Sequence, residues 1–121
     1  MTLPLHPESI AALYEYLRSM PPFRTLKGMP HADEVEFWVV KDRERFGWYR
    51  RIGGRPRISI SSPSIGQTVT LIETLGHEMI HLVLECSGLE TGGNENTHNA
   101  PFRKLAARFC KVHGLDLKAF Y

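Results

Sequence analysis

The order of patterns along the chain predicts an α+β fold: a helix, a three-stranded antiparallel sheet and two further helices, in one domain spanning residues 1–121. Three observations carry this expectation. Apolar residues recur with a helical period near both ends of the chain, while β-branched and aromatic residues gather in short runs between. Gly53-Gly54 separates two of those runs as a hairpin signal. The stretch from Gln67 to Cys86 is apolar nearly all round, which marks a helix buried in the middle of the domain.

The elements follow in order. His6-Pro7-Glu8 reads as a helix start, with proline in the first turn and an acid beside it. Ile10, Leu13, Tyr14 and Leu17 then keep one apolar face up to the stop at Pro21-Pro22. Residues 23–33 show no period and read as a loop. Glu34–Val40, Phe46–Ile52 and Arg55–Ser61 read as strands. In the third, Ile58 and Ile60 alternate with serines, one face in and one out, and Pro56 suggests an edge strand because it cannot donate to a ladder. Ser64 and Gln67 have capping-box spacing before the central helix, and Gly88 offers its stop. After the polar loop GLETGGNENT, a last helix presents Phe102, Leu105, Ala106, Phe109 and Val112 on one face, with Gly114 past its end.

Bulk properties narrow the class. With 121 residues, 42% hydrophobic and 23% charged, the chain can bury a core without staples and resembles neither a disordered tail nor a membrane span. Cys86 and Cys110 are too few for a disulfide framework or a zinc ribbon and read as reduced core residues. The N-terminus lacks a signal-peptide pattern and no window reaches transmembrane length, so a cytoplasmic protein is expected. The net charge of +2 says little about partners. Its distribution says more: Arg43, Arg45, Arg50, Arg51, Arg55 and Arg57 cluster around the hairpin. They would meet nucleic-acid phosphates or an acidic protein, or else form the hairpin's solvated face.

The chemistry lies in LGHEMIHLVL, Leu75 to Leu84, where two histidines and a carboxylate stand among aliphatic residues. Positions four apart on a helix lie about 6 Å along the axis and point nearly the same way. His77 and His81 can therefore offer neutral nitrogens to one metal ion. Glu78, about 100° from His77, stays out of the coordination sphere but within reach of a water on the metal. This is the H-E-x-x-H arrangement of two ligands and a general base. With 6 histidines in the chain, chance produces the motif roughly twice in a hundred such sequences. Ionisable groups amid an apolar helix are costly to desolvate, and a divalent cation compensates. The plain alternative is a buried histidine pair satisfied by carbonyls.

Catalytic zinc usually has three protein ligands. The pattern H-E-x-x-H-x-x-G-x-x-H is absent, because Leu84 and Ser87 occupy the glycine and last histidine places. Glu85, one turn beyond His81, lies too far along a straight helix. His98, where the chain turns into the last helix, is the favoured third ligand, with Glu95 and Glu90 as competitors.

LGHEMIH followed by THNAPFRKLAARF resembles the SprT-like zinc metallopeptidases, whose pattern is H-E-x-x-H and then H-[GN]-x-x-[FW] at the head of the next helix. His77, Glu78 and His81 match the first part; His98 and Phe102 match the second. Asn99 stands where many members have glycine, which brings the motif closer to the related WLM-type peptidases. The likeness is good over roughly residues 55–121. It implies a zincin-like fold, a bound Zn2+ and hydrolysis of peptide bonds in a protein or peptide substrate. Some relatives act on DNA-crosslinked proteins with the help of further modules; here only the arginine cluster could substitute.

The expected mechanism follows. Zinc on His77, His81 and His98 would lower the pKa of its water from about 15.7 to about 7. Glu78 would take the proton and deliver it to the leaving amine. The strand near Ile58–Ser61 would hold the substrate extended, and Phe102 would pack the last helix against the central one. An oxyanion donor is expected among Tyr14, Tyr49, Tyr121 and His113. His6 and His31 read as surface residues. Two rival functions use the same residues: a zinc-binding, DNA-associated adaptor without turnover, and a hydrolase of cell-wall peptides.

Overall fold

The computed structural model describes residues 5–65, 68–89 and 98–120. Helix α1 (Pro7–Arg18) starts where Pro7 presets the first turn behind the extended His6. It buries Ile10, Tyr14 and Leu17, the stripe expected from its period. The stretch read as a loop contains two single 3-10 turns, Phe23–Thr25 and Ala32–Glu34. Three residues are too few to carry a period, yet Phe23 is buried and its ring lies 5.6 Å from that of Phe109.

Strands β1 (Glu36–Val40), β2 (Gly47–Ile52) and β3 (Arg55–Ser61) form one sheet in the order β1-β3-β2. β2 and β3 make the antiparallel hairpin that Gly53-Gly54 announces. β1, however, pairs with β3 in parallel, Glu36 opposite Arg57 and Val40 opposite Ser61, so the sheet is mixed rather than antiparallel. β3 is therefore the central strand and not an edge. Pro56 is tolerated there because it lies one residue before the β1 pairing begins at Arg57.

Phe37, Val39, Tyr49, Ile58 and Ile60 form the inner face of the sheet under the helices. The serines of β3 do not face solvent as expected. Ser59 is buried between Trp38 and Trp48, its partners in register on either side. Buried Ser61 donates its hydroxyl to the Asp42 carbonyl and accepts from the Asp42 amide.

Helix α2 (Thr68–Cys86) crosses between the sheet and α3 and is buried along most of its length. Val69 near its start is exposed, and Cys86 at its end is exposed rather than in the core, whereas Cys110 is buried. Gly88 takes a left-handed φ of 72°, and the Leu89 amide returns to the Leu84 carbonyl to close the helix. Gln67, half of the expected capping box, lies outside the described residues.

Helix α3 (Ala100–His113) ends at left-handed Gly114, as its sequence indicates. It buries Phe102, Leu105, Ala106, Phe109 and Cys110. Val112, expected on that face, is exposed: the stripe advances to His113, whose ring lies 4.5 Å from Phe109. A final turn, α4 (Leu117–Phe120), carries buried Phe120 back onto α2 and α3. Among the described residues, no helix is long and apolar enough to cross a membrane.

Candidate metal centre

The central helix presents His77 and His81 one turn apart, and the chain entering α3 brings His98 to them. Ring centroids are 5.1 Å apart for His77 and His81, 4.9 Å for His77 and His98, and 5.5 Å for His81 and His98. Each ring offers one nitrogen, and the three nitrogens lie within 4.8 Å of one another. A tetrahedral ion with bonds of about 2.0–2.1 Å needs nitrogens roughly 3.4 Å apart, so small rotations close this group around one ion. Three imidazole nitrogens form a donor set suited to zinc, and the residues present fit that metal. Among the described residues no other such group is found. Glu90 and Glu95, the competitors for third ligand, lie outside them.

Phe102 forms the floor of the group. Its ring stacks on His98 at 4.1 Å and 10° and lies 4.7 Å from His81 and 5.0 Å from His77. The flat contact with His98, four residues earlier, orients that ring, while α3 docks through the same side chain. Asn99 prepares this geometry. Its side-chain oxygen accepts from the Phe102 amide at 3.0 Å as an N-cap, and its amide donates to the Leu89 carbonyl at 2.9 Å.

Electrostatics favour ligation. Burial, then the neighbouring rings of His81 and His98, push the His77 pKa down to about 3, although a hydrogen bond with the Phe120 carbonyl opposes the shift. His77 is thus neutral at physiological pH, as a metal ligand must be. His81 and Glu78 are almost fully buried, at 1% and 3% exposure. At 100° per residue, both fall on the helix stripe that contains Thr74 and Glu85. Thr74 packs beside Gly47, and Glu85 accepts from the Tyr49 hydroxyl at 2.6 Å, so this stripe runs beneath β2.

The other candidates are placed as follows. Tyr49 is bound to Glu85, and Tyr14 donates to the Pro30 carbonyl at 2.6 Å; burial raises the pKa of both, keeping their hydroxyls protonated. His113 packs on Phe109, and Tyr121 lies outside the described residues. His6 and His31 are exposed, as expected. Glu85 is not a ligand: Arg51 pairs with it at 2.7 Å, and that contact is the chief cause holding its carboxyl below the usual range.

Two contributors escape a reading of the sequence. His77 Nδ1 lies 3.1 Å from the Phe120 carbonyl, and Gly76 lets the Phe109 ring rest against the central helix. A glycine inside a strongly helical run was the available signal for the second. For the first, Asp116 before LKAF signalled a helix start: its carboxylate accepts from the Lys118 amide at 3.0 Å.

A three-histidine site shared by the central helix and the chain entering α3, beside a mixed sheet, defines an α+β protein with a candidate metal centre. The chain belongs to the SprT-like family, whose pattern matches residues 24–119. That family is associated with metallopeptidase activity, and the match covers the sheet and every candidate ligand. No curated protein matches the chain.

Proposed function

We propose that this protein is a zinc-dependent metallopeptidase that holds its metal through His77, His81 and His98. The convergence of the three rings, with Glu78 one residue after the first of them, carries this reading. A bound zinc ion supplies Lewis acidity and makes hydroxide available near neutral pH. Glu78, almost fully buried, accepts the proton of the attacking water and passes it to the leaving amine. The peptide lies extended along the free edge of β2, the strand above the Glu78 and His81 stripe. β3, central in the sheet, has no free edge to offer.

Glu78→Gln tests the base. The variant is expected to keep its zinc, measured by metal analysis, and to lose 10²–10⁴-fold in casein cleavage, the usual contribution of a general base. A variant that cleaves as fast as the parent removes Glu78 from the reaction.

A nucleic-acid partner is the second part of the proposal, and the outer face of the sheet favours it. Trp38 and Trp48 flank Ser59 in one row of that face. The Arg57 guanidinium lies 4.2 Å from the Trp38 ring, and those of Arg45 and Arg50 lie 5.9 and 5.6 Å from Trp48. Flat aromatic surfaces interleaved with cations suit the stacked bases and phosphates of a single strand. Within the cluster, Arg51 pairs with Glu85, Arg57 pairs with Glu36, and Arg55 donates to the Asp33 carbonyl. Oligothymidylate is expected to quench tryptophan fluorescence with an affinity that falls as salt rises, and Trp38→Ala to weaken it about tenfold or more. Binding that is undetectable or indifferent to salt removes nucleic acid as a partner.

A further inference from the structure

We propose that α4 is a working part of the metal site: the Phe120 main-chain carbonyl fixes the His77 ring in the tautomer whose Nε2 faces the ion. The inference rests on the metal-binding reading above and adds to it a residue far from the motif in sequence.

A carbonyl oxygen can only accept a hydrogen bond. Since it lies 3.1 Å from His77 Nδ1, that nitrogen must carry the proton, and Nε2 keeps its lone pair for a metal. The contact also stops rotation of the ring about its bond to the helix. A flexible tail could not do this, and the structure holds this carbonyl in place at several points. Phe120 is 3% exposed, with its ring 5.5 Å from Phe109 and 5.6 Å from His77 itself. Its amide donates to the Asp116 carbonyl at 3.0 Å, closing the turn. Left-handed Gly114 reverses the chain after α3 so that the turn reaches α2. Phe109 in turn lies on the backbone of Gly76, the residue before His77. Ligand, acceptor and intervening ring therefore form one closed circuit. Partners of this kind orient first ligands, and losing one typically costs 10–100-fold in metal affinity.

The test reads the tautomer directly. In the zinc-loaded protein with 15N-labelled histidine, long-range proton–nitrogen correlation is expected to show His77 with a protonated Nδ1 and a metal-bound Nε2. Metal on Nδ1, or an Nδ1 without its proton, overturns the proposal and needs no variant. Phe120→Ala, which frees the carbonyl from its anchor, is expected to weaken zinc 10–100-fold in competition with a chromophoric chelator. Phe120→Leu, keeping an apolar anchor, is expected to restore most of that loss. His98→Ala separates the two levels of argument. If it binds zinc as the parent does, the metal centre itself is misassigned; if it loses zinc while Phe120→Ala does not, only the role of α4 falls.

Discussion

Gly76 stands immediately before His77, and a Cβ built there would overlap the Phe109 ring. The ring has little room to yield, because Phe23, His113 and Phe120 surround it. Two effects oppose each other in Gly76→Ala. Alanine gains about 1 kcal/mol of helix propensity over glycine. Overpacking a core typically costs about 1–3 kcal/mol. Because the overlap is with a confined aromatic ring, the second effect wins, and a net loss of up to about 2 kcal/mol is expected in urea unfolding. Phe109→Leu in the same chain makes room and should give back part of that loss, so the pair is expected to be non-additive. Additive effects would show that the two residues do not press on each other. The reason this role is hidden in the sequence is physical: a glycine's local cost is visible, but the ring that requires it sits some thirty residues away.

Single elements show where sequence patterns suffice. α1, α2 and α3 are legible because each repeats its apolar stripe over several turns, and the approach of His77 to His81 because one helical turn sets it. α4 is too short to repeat anything, and its contact with His77 belongs to tertiary structure. His98 lies between. Its place where the chain turns into the last helix favours it over Glu90 and Glu95, and the family pattern of that helix agrees. What ties His98 to that helix is the Asn99 cap, so helix stability and ligand position are linked at one residue. Asn99→Ala is expected to cost about 1 kcal/mol in unfolding free energy, the usual value of a lost N-cap. Asn99→Gly should lose only a few tenths through the cap, since glycine serves well there. Both also lose the donation to the Leu89 carbonyl. The expected order of zinc affinity is Asn99, then glycine, then alanine, and an alanine variant binding zinc as tightly as the parent would uncouple cap from ligand.

At the scale of the whole molecule, strand order is what local pattern could not supply. β1 up, β2 down and β3 up are the directions in an antiparallel meander and also in the observed order β1-β3-β2. Only the neighbours differ, and no residue within a strand declares its neighbour. The connection from Lys41 to Phe46 is turned by Asp42, whose carboxylate accepts from the Glu44 and Arg45 amides at 2.9 and 3.3 Å. Its path leaves a place for β3 between its predecessors. That order puts β2 at the edge above the α2 stripe of Glu78 and His81, and His98 joins the metal centre from the chain entering α3. A shared ion would act there as a cross-link between helices otherwise joined by Phe102, Leu105 and Phe109. Any ligand that binds only the folded state stabilises it by mass action, about 2.7 kcal/mol at a hundredfold excess over Kd. For a chain of this size, that corresponds to a change in Tm on the order of 10 °C. Removing zinc with a chelator is therefore expected to lower Tm by about that amount, and His98→Ala to make Tm indifferent to zinc. The loss should also be local. Amide hydrogen exchange is expected to rise first around His98 and the opening turn of α3, while β3 and α1, which carry no ligand, keep their protection. Equal Tm with and without metal would mean that α2 and α3 are held by their apolar contacts alone and share no ion.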